Sequence, residues 1–146
     1  MHQGNLFAGY VNNNFLVEFN LETQKCSSNL QFQAEGQIST NRIVSNNAII
    51  AGAFEDAMIR IFDRSKLVHS FEAHEESVMS LCFTNNPYEL FSCGQDGMVK
   101  LWDLRKYAVA HKKKYDEAAH CITFGRNNIT ASGGADGVIK LFAPDL

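Results

Sequence analysis

The stretch from His74 to Asp103, HEESVMSLCFTNNPYELFSCGQDGMVKLWD, decides the fold. It holds the only tryptophan, Trp102, which is followed by Asp103. Six residues before Trp102 stands Asp96, inside the turn Gln95-Asp96-Gly97. Ser92 lies four residues before Asp96 in an apolar run, and the pair Ala73-His74 opens the unit. Val99 and Leu101 alternate with Lys100. A period of two sets the aliphatics on one face of an extended strand and the basic stem on the other; a helical period would scatter them. Asp-Gly between two such runs is the strongest short hairpin signal, since tight hairpin turns need residues that tolerate positive φ.

Outward from this stretch the same phrase recurs. Asp56, Asp96 and Asp136 stand 40 residues apart, and an aromatic follows each by six residues: Phe62, Trp102 and Phe142. Upstream, Phe19 is the matching aromatic and Asn13 the matching turn residue, 43 residues before Asp56. A period of about 40–45 residues is that of four-stranded propeller blades.

The first unit is expected to hold strands over 6–11, 15–20 and 28–33. The second holds strands over 42–45, 48–53, 58–63 and 67–72. The third holds 78–84, 89–93 and 98–103, and the fourth 120–124, 129–133 and 138–142. Between Asp103 and the next unit the sequence leaves little room for an outermost strand, so that strand is expected to be short. The pattern resembles WD-repeat proteins. The expected fold is all-β, a partial WD-repeat β-propeller of about three and a half four-stranded blades. It forms one domain, 1–146, with units near 1–36, 37–73, 74–110 and 111–146. Closed propellers have about four to eight blades, and exposed strand edges invite aggregation. The chain therefore reads as the C-terminal part of a larger propeller, needing further blades or a second copy to close the ring.

Composition fits this reading. The chain has 146 residues, 45% hydrophobic, with 11 Phe, two Pro and a net charge of -3. That is enough apolar content for one packed domain, and the charge does not point to nucleic acid or an anionic membrane. The first 20 residues carry five Asn and no sustained apolar run, which reads against a signal peptide. The longest apolar block, Ala48 to Phe54, is too short to span a bilayer. Cys26, Cys82, Cys93 and Cys121 form no C-x-x-C pair. Three of them fall in strands expected to be buried, and they read as reduced core residues of a cytosolic or nuclear protein. Asn128-Ile129-Thr130 matches a glycosylation acceptor but is expected inside a strand.

A closer resemblance rests on Ala110-His111-Lys112-Lys113-Lys114-Tyr115-Asp116-Glu117, on Ala131 to Gly137, and on Lys140 to Phe142. With Lys66 to Ser70 before Ala73-His74, these are similar to the end of the striatin family. The chain departs from that family in lacking the upstream half of the propeller, the coiled coil and the calmodulin-binding segment, and its third outermost strand reads several residues short.

His74, Ser92 and Asp96 are the residue types of a hydrolase triad, with Ser92 as nucleophile and His74 as base. Ser92 lacks the G-x-S-x-G elbow. The WD-repeat resemblance implies instead a structural tetrad of His74, Ser92, Asp96 and Trp102, a hydrogen-bonded chain that satisfies buried donors and locks turn to strand. Ser132 and Asp136 keep part of this set and Gly52 replaces the serine, while Phe62 and Phe142 replace the tryptophan and cannot donate.

Lys112, Lys113, Lys114 and Tyr115 are expected on a loop and are the candidate partner contacts. Asp116 and Glu117 partly neutralise the lysines, and the bland reading is a solvated loop rather than a nucleic-acid site. His111, Asp116, Glu117, His120 and Cys121 fit no compact zinc spacing, with His120 and Cys121 expected on opposite faces of one strand. No metal or cofactor is expected. The reading is a non-catalytic scaffold for protein–protein interaction, cytoplasmic, with no membrane span. The striatin resemblance implies a subunit linking protein phosphatase type 2A to kinases and Mob-family proteins. The alternatives are a WD-repeat adaptor in ubiquitin ligation or trafficking, and a hydrolase using Ser92, His74 and Asp96.

Overall fold

The computed structural model describes residues 5–9, 14–64 and 66–143. Among these the regular structure is all strand, in four antiparallel meanders. Blade one holds β1 (Asn5–Gly9), β2 (Phe15–Asn20) and β3 (Lys25–Gln31). Blade two holds β4 (Thr40–Ser45), β5 (Ile50–Phe54), β6 (Met58–Phe62) and β7 (Leu67–Glu72). Blade three holds β8 (Val78–Phe83), β9 (Glu89–Gly94), β10 (Met98–Asp103) and β11 (Ala108–Lys114). Blade four holds β12 (Ala119–Phe124), β13 (Thr130–Gly134) and β14 (Ile139–Phe142).

The repeated residues explain the repeated geometry. In the last three blades the turn aspartate accepts a hydrogen bond from the amide two residues on, from Met58 to Asp56, Met98 to Asp96 and Val138 to Asp136. This side-chain cap fixes the turn. The residue after each aspartate takes positive φ: Ala57 at 65°, Gly97 at 73°, Gly137 at 70°. The aromatic beat marks a second device. Register shifts fall between Glu18 and Phe19, Ile61 and Phe62, and Leu101 and Trp102. A bulge at that place increases local twist, which lets adjacent sheets fan.

The core lies between sheets. β4 packs beside β8 and β8 beside β12, so these innermost strands line a shared side of the fan. Ile59 and Ile61 of β6 pack with Val78 and Leu81 of β8, and Val99 and Leu101 of β10 with Ala119 and Ile122 of β12. Leu16, Leu30 and Phe32 close on Ile50, Phe54 and Phe62 in the same way. Each fully buried aliphatic or aromatic contributes roughly 1.5–3 kcal/mol. The matching pair on β14 is open to solvent: Ile139 is 76% and Leu141 69% exposed, against 0% and 5% for Val99 and Leu101.

Several expectations are corrected. The outermost strand of blade three is not short: β11 runs seven residues and pairs along all of β10. The turn Leu104 to Tyr107 takes only four residues, with Tyr107 at φ 49°, so room remains. The unit boundary drawn after residue 110 thus falls inside β11. The expected loop at Lys112-Lys113-Lys114 is strand. Cys121 was expected to be buried but is exposed, as is Cys26, while Cys93 is buried and Cys82 half-buried; all four thiols are free. Burial pushes the Cys82 and Cys93 thiols up to about 12, which keeps them unreactive. Asn128 lies in a turn at φ 56°, not in a strand, because β13 begins at Thr130. Tyr10, Val11, Asn12 and Asn13 lie outside the described residues.

Candidate functional site

Three of the four tetrad residues stand on blade three itself, with His74 arriving from the β7–β8 connection. Ser92 on β9 and Lys100 on β10 are register partners, as are Leu90 and Trp102. Trp102 Nε1 donates to Ser92 Oγ at 2.8 Å, and His74 Nε2 lies 2.7 Å from the same oxygen. His74 Nδ1 is 2.9 Å from Asp96 Oδ1. The indole can only donate, and burial disfavours a second proton on His74, so with a neutral ring one arrangement completes the chain. The serine hydroxyl donates to His74 Nε2, and His74 Nδ1–H donates to Asp96. That requires a neutral imidazole. Burial lowers the affinity of His74 for a second proton, against the weaker pull of Asp96 in the other direction. Burial pushes the Asp96 carboxyl up. The Met98 amide, the His74 ring and the Glu75 amide together outweigh it and hold the group below its ordinary value.

Gly94 makes the approach possible. A Cβ there would stand 2.6 Å from His74 Nδ1 and 2.8 Å from Asp96 Oδ1. The chain of bonds is that of a hydrolase triad, but Ser92 is 0% and His74 2% exposed. A substrate carbonyl has no route to Ser92 Oγ. The arrangement holds the turn, β9 and β10 to the entering connection.

Blade two has no such chain. Gly52 stands at the register of Ser92, and Phe54 at that of Gly94. The two changes are coupled, because a Cβ on Gly52 would meet the Phe54 ring at 2.6 Å. Asp56 is held by Arg60 through two bonds, of 3.0 and 2.6 Å. The Arg60 guanidinium lies 4.5 Å from the Phe32 ring centroid and 4.6 Å from that of Phe54. Sequence reading missed this clamp. Arg60 alternates with Ile59 and Ile61 as Lys100 does with Val99 and Leu101, which reads as a solvated basic stem, yet it is 3% exposed.

Blade four is intermediate. Ser132 is buried and Asp136 pairs with Lys140. Tyr115, first after β11 as Ala73 is first after β7, enters beside that place: its amide donates to Gly97 O as the Ala73 amide donates to Ala57 O. Its ring lies 4.0 Å from Lys140 Nζ, and its hydroxyl is buried without a hydrogen-bond partner. Tyr115 is therefore a half-buried wedge and not the exposed loop contact expected from sequence. Lys112, Lys113 and Lys114 are exposed on β11. They divide between its faces: Lys112 pairs with Lys100 and Lys114 with Met98, while Lys113 pairs with Val99 and lies 5.9 Å from the Phe142 ring.

Among the described residues no group of three or more His, Cys, Asp or Glu could hold a metal ion. His120 and Cys121 are both exposed rather than on opposite faces, because a bulge between Ala119 and Cys121 breaks the alternation. No helix among the described residues is long and apolar enough to cross a membrane.

Comparison with known proteins agrees with this geometry. Residues 65–103, which span β7 to β10, match the family "WD domain, G-beta repeat". The chain is 35% identical to human striatin over 138 residues, 85% of this chain. It is 33% identical to the striatin homolog of Dictyostelium discoideum over 147 residues, and 32% identical to mouse striatin-3 over 140. In each case the chain spans 18% of the relative's length. In fold it is similar to the computationally designed Ika4 protein, with a TM-score of 0.81 at 16% identity, covering 98% of this chain and 87% of that one.

Proposed function

We propose that this chain, a WD-repeat protein resembling the C-terminal propeller region of striatin, works as a protein-binding scaffold. The observation that carries this reading is the sealed tetrad: the only triad-like constellation recognised in the sequence is spent on holding blade three rigid. What remains is a stiff fan that offers its loops and outer strands to other proteins. By its likeness to striatin, the partners are protein phosphatase type 2A, kinases and Mob-family proteins, in the cytoplasm. The exposed Ile139 and Leu141 on β14, and Leu6 on β1, meet further sheets, from a longer chain or from a second copy.

The test is co-purification. This chain, mixed with purified phosphatase 2A subunits, a kinase of the complex and a Mob-family protein, is expected to form one assembly on a sizing column. Leaving the chain out of the mixture is expected to release at least one partner. An assembly that keeps every partner without the chain would sink its scaffold role.

A further inference from the structure

The lysines of β11 do more than decorate an edge. Lys100 and Lys112 stand directly opposite each other on one face of the sheet, and Lys114 follows opposite Met98. Like charges directly opposite across a sheet are destabilising. They border a groove of about 780 Å³ that also takes in His111, Glu75 and Asp96. Asp96 already accepts bonds from His74 and from the amides of Glu75 and Met98. Glu75 is thus the one carboxylate lining the groove without those commitments. Lys100 Nζ donates to Ala73 O at 2.6 Å, which fixes its head at the groove floor. The rim is β11, the edge strand of its sheet among the described residues, with all seven residues exposed.

A lysine-bearing edge can be read as protection against edge-to-edge pairing. That reading asks only for scattered charge. It does not account for three lysines gathered on one face around a concavity, with an uncommitted strand edge alongside. The other outermost strands, β3 and β7, carry one basic residue between them besides His69, at Lys25.

We propose that this groove and the β11 edge bind an acidic polypeptide segment in extended form, its carboxylates on Lys100, Lys112 and Lys114. Backbone pairing to β11 supplies affinity, and the period of two along the incoming strand places alternate acidic residues over the lysines. Lys113, on the opposite face toward blade four, takes no part. The proposal rests on the scaffold reading and names the chemistry of one partner site.

The probe is a fluorescein-labelled ten-residue peptide alternating Glu and Val, titrated with the 146-residue chain and read by anisotropy. The expected result is saturable binding that weakens with salt. The matching Gln-Val peptide is expected not to bind. The double variant Lys112→Ser/Lys114→Ser is expected to bind about tenfold more weakly or worse, and Lys113→Ser within about twofold of the parent. Both variants change exposed residues, and a thermal melt checks that each stays folded. Amide exchange should slow along residues 108–114 when the peptide is present.

Equal losses in the Lys113→Ser variant, or no binding by the parent, overturn the proposal. So does equal competition by a single-stranded oligonucleotide of the same charge, which would make the patch a general polyanion surface. A chain that still assembles with phosphatase and Mob subunits while ignoring the Glu-Val peptide fails this proposal and leaves the scaffold reading standing.

Discussion

Blades two and three carry the turn aspartate at the same register and anchor it by opposite means. In blade three Asp96 ends a neutral chain through His74 and Ser92 to Trp102. In blade two Asp56 faces a guanidinium held against the Phe32 and Phe54 rings. The exchange needs several positions to change together. Gly52 replaces the serine so that Phe54 can swing in, and Phe54 fills the space that Gly94 leaves for a histidine ring. Lys100, free to seek Ala73 O because His74 serves Asp96, becomes Arg60, which must serve the aspartate itself. Phe32, first after β3 as Ala73 is first after β7, closes the clamp. The fan is preserved because both solutions leave few buried polar groups unpaired, one with uncharged bonds and one with charge and aromatic faces. Arg60 Nε is an exception, buried without a hydrogen-bond partner among the described residues.

The largest predicted effect breaks the charged solution. Arg60→Ala leaves Asp56 facing the Phe32 and Phe54 rings with no counter-charge and opens a cavity between them. Breaking a buried pair costs about 3–5 kcal/mol, and the 22% exposure of the Asp56 side chain puts this case near the lower end. Urea unfolding followed by tryptophan fluorescence measures it. A loss under about 1 kcal/mol would mean that the clamp is decoration.

Breaking the neutral solution costs less. Trp102→Phe keeps most of the apolar contact with Phe71 but removes the donor to Ser92 Oγ. The expected loss is about 1–3 kcal/mol, from one buried bond left unmade. The same chain sets a pH signature. The buried histidine resists its second proton, so below the unfolded value of 6.5 the unfolded chain takes up protons that folded His74 refuses. Stability is therefore full above that value and falls as pH drops toward the folded one. Asp96 adds a second loss of the same sign below its unfolded value of 3.8. Denaturant midpoints compared at pH 7.5 and 5 should fall further for the parent than for His74→Gln. An equal fall in both would place the proton uptake elsewhere.

The turns differ more gently. Ala57 sits at φ 65° where Gly97 and Gly137 sit in the other two blades. A left-handed alanine is strained, so Ala57→Gly is expected to stabilise by about 0.5–1 kcal/mol, part of the relief being offset by the freer unfolded chain. A melting temperature that drops would show that the Ala57 methyl packs usefully.

How far the sequence could be read follows the same contrast. The blade-three residue types, His, Ser and Asp, read equally well as a hydrolase triad, and the tetrad with Trp102 was legible only through the WD-repeat resemblance. The aromatics at Phe19, Phe62 and Trp102 were legible as a beat, though not as the bulge each one marks. The Arg60 clamp was not legible. Its parts, Phe32, Gly52, Phe54 and Arg60, come from two blades, and no local pattern says that a glycine and a phenylalanine two residues on have traded volume. β11 was expected too short for a related reason. A four-residue turn with Tyr107 at positive φ has no glycine to announce it, and a lysine run reads as loop by composition. Its face-by-face division became visible only once the register with β10 was known.

The smallest effect tests whether the serine matters without its partners. Ser92 and Ser132 occupy the same register, each buried, each opposite a lysine of the neighbouring strand. Around Ser92 a histidine and an indole converge; around Ser132 Tyr115 enters beside the histidine's place and Phe142 takes that of the indole, and a phenyl ring cannot donate. Ser92→Ala should strand two buried polar groups, and a loss of about 1–3 kcal/mol is expected. Ser132→Ala strands neither a histidine nor an indole, and it removes a hydroxyl whose burial is itself unfavourable. Its effect should fall within about 0.5 kcal/mol of zero, on either side. If the two substitutions cost the same, the serine contributes through packing at that register, and the hydrogen-bonded chain of blade three is not what distinguishes it from its neighbours.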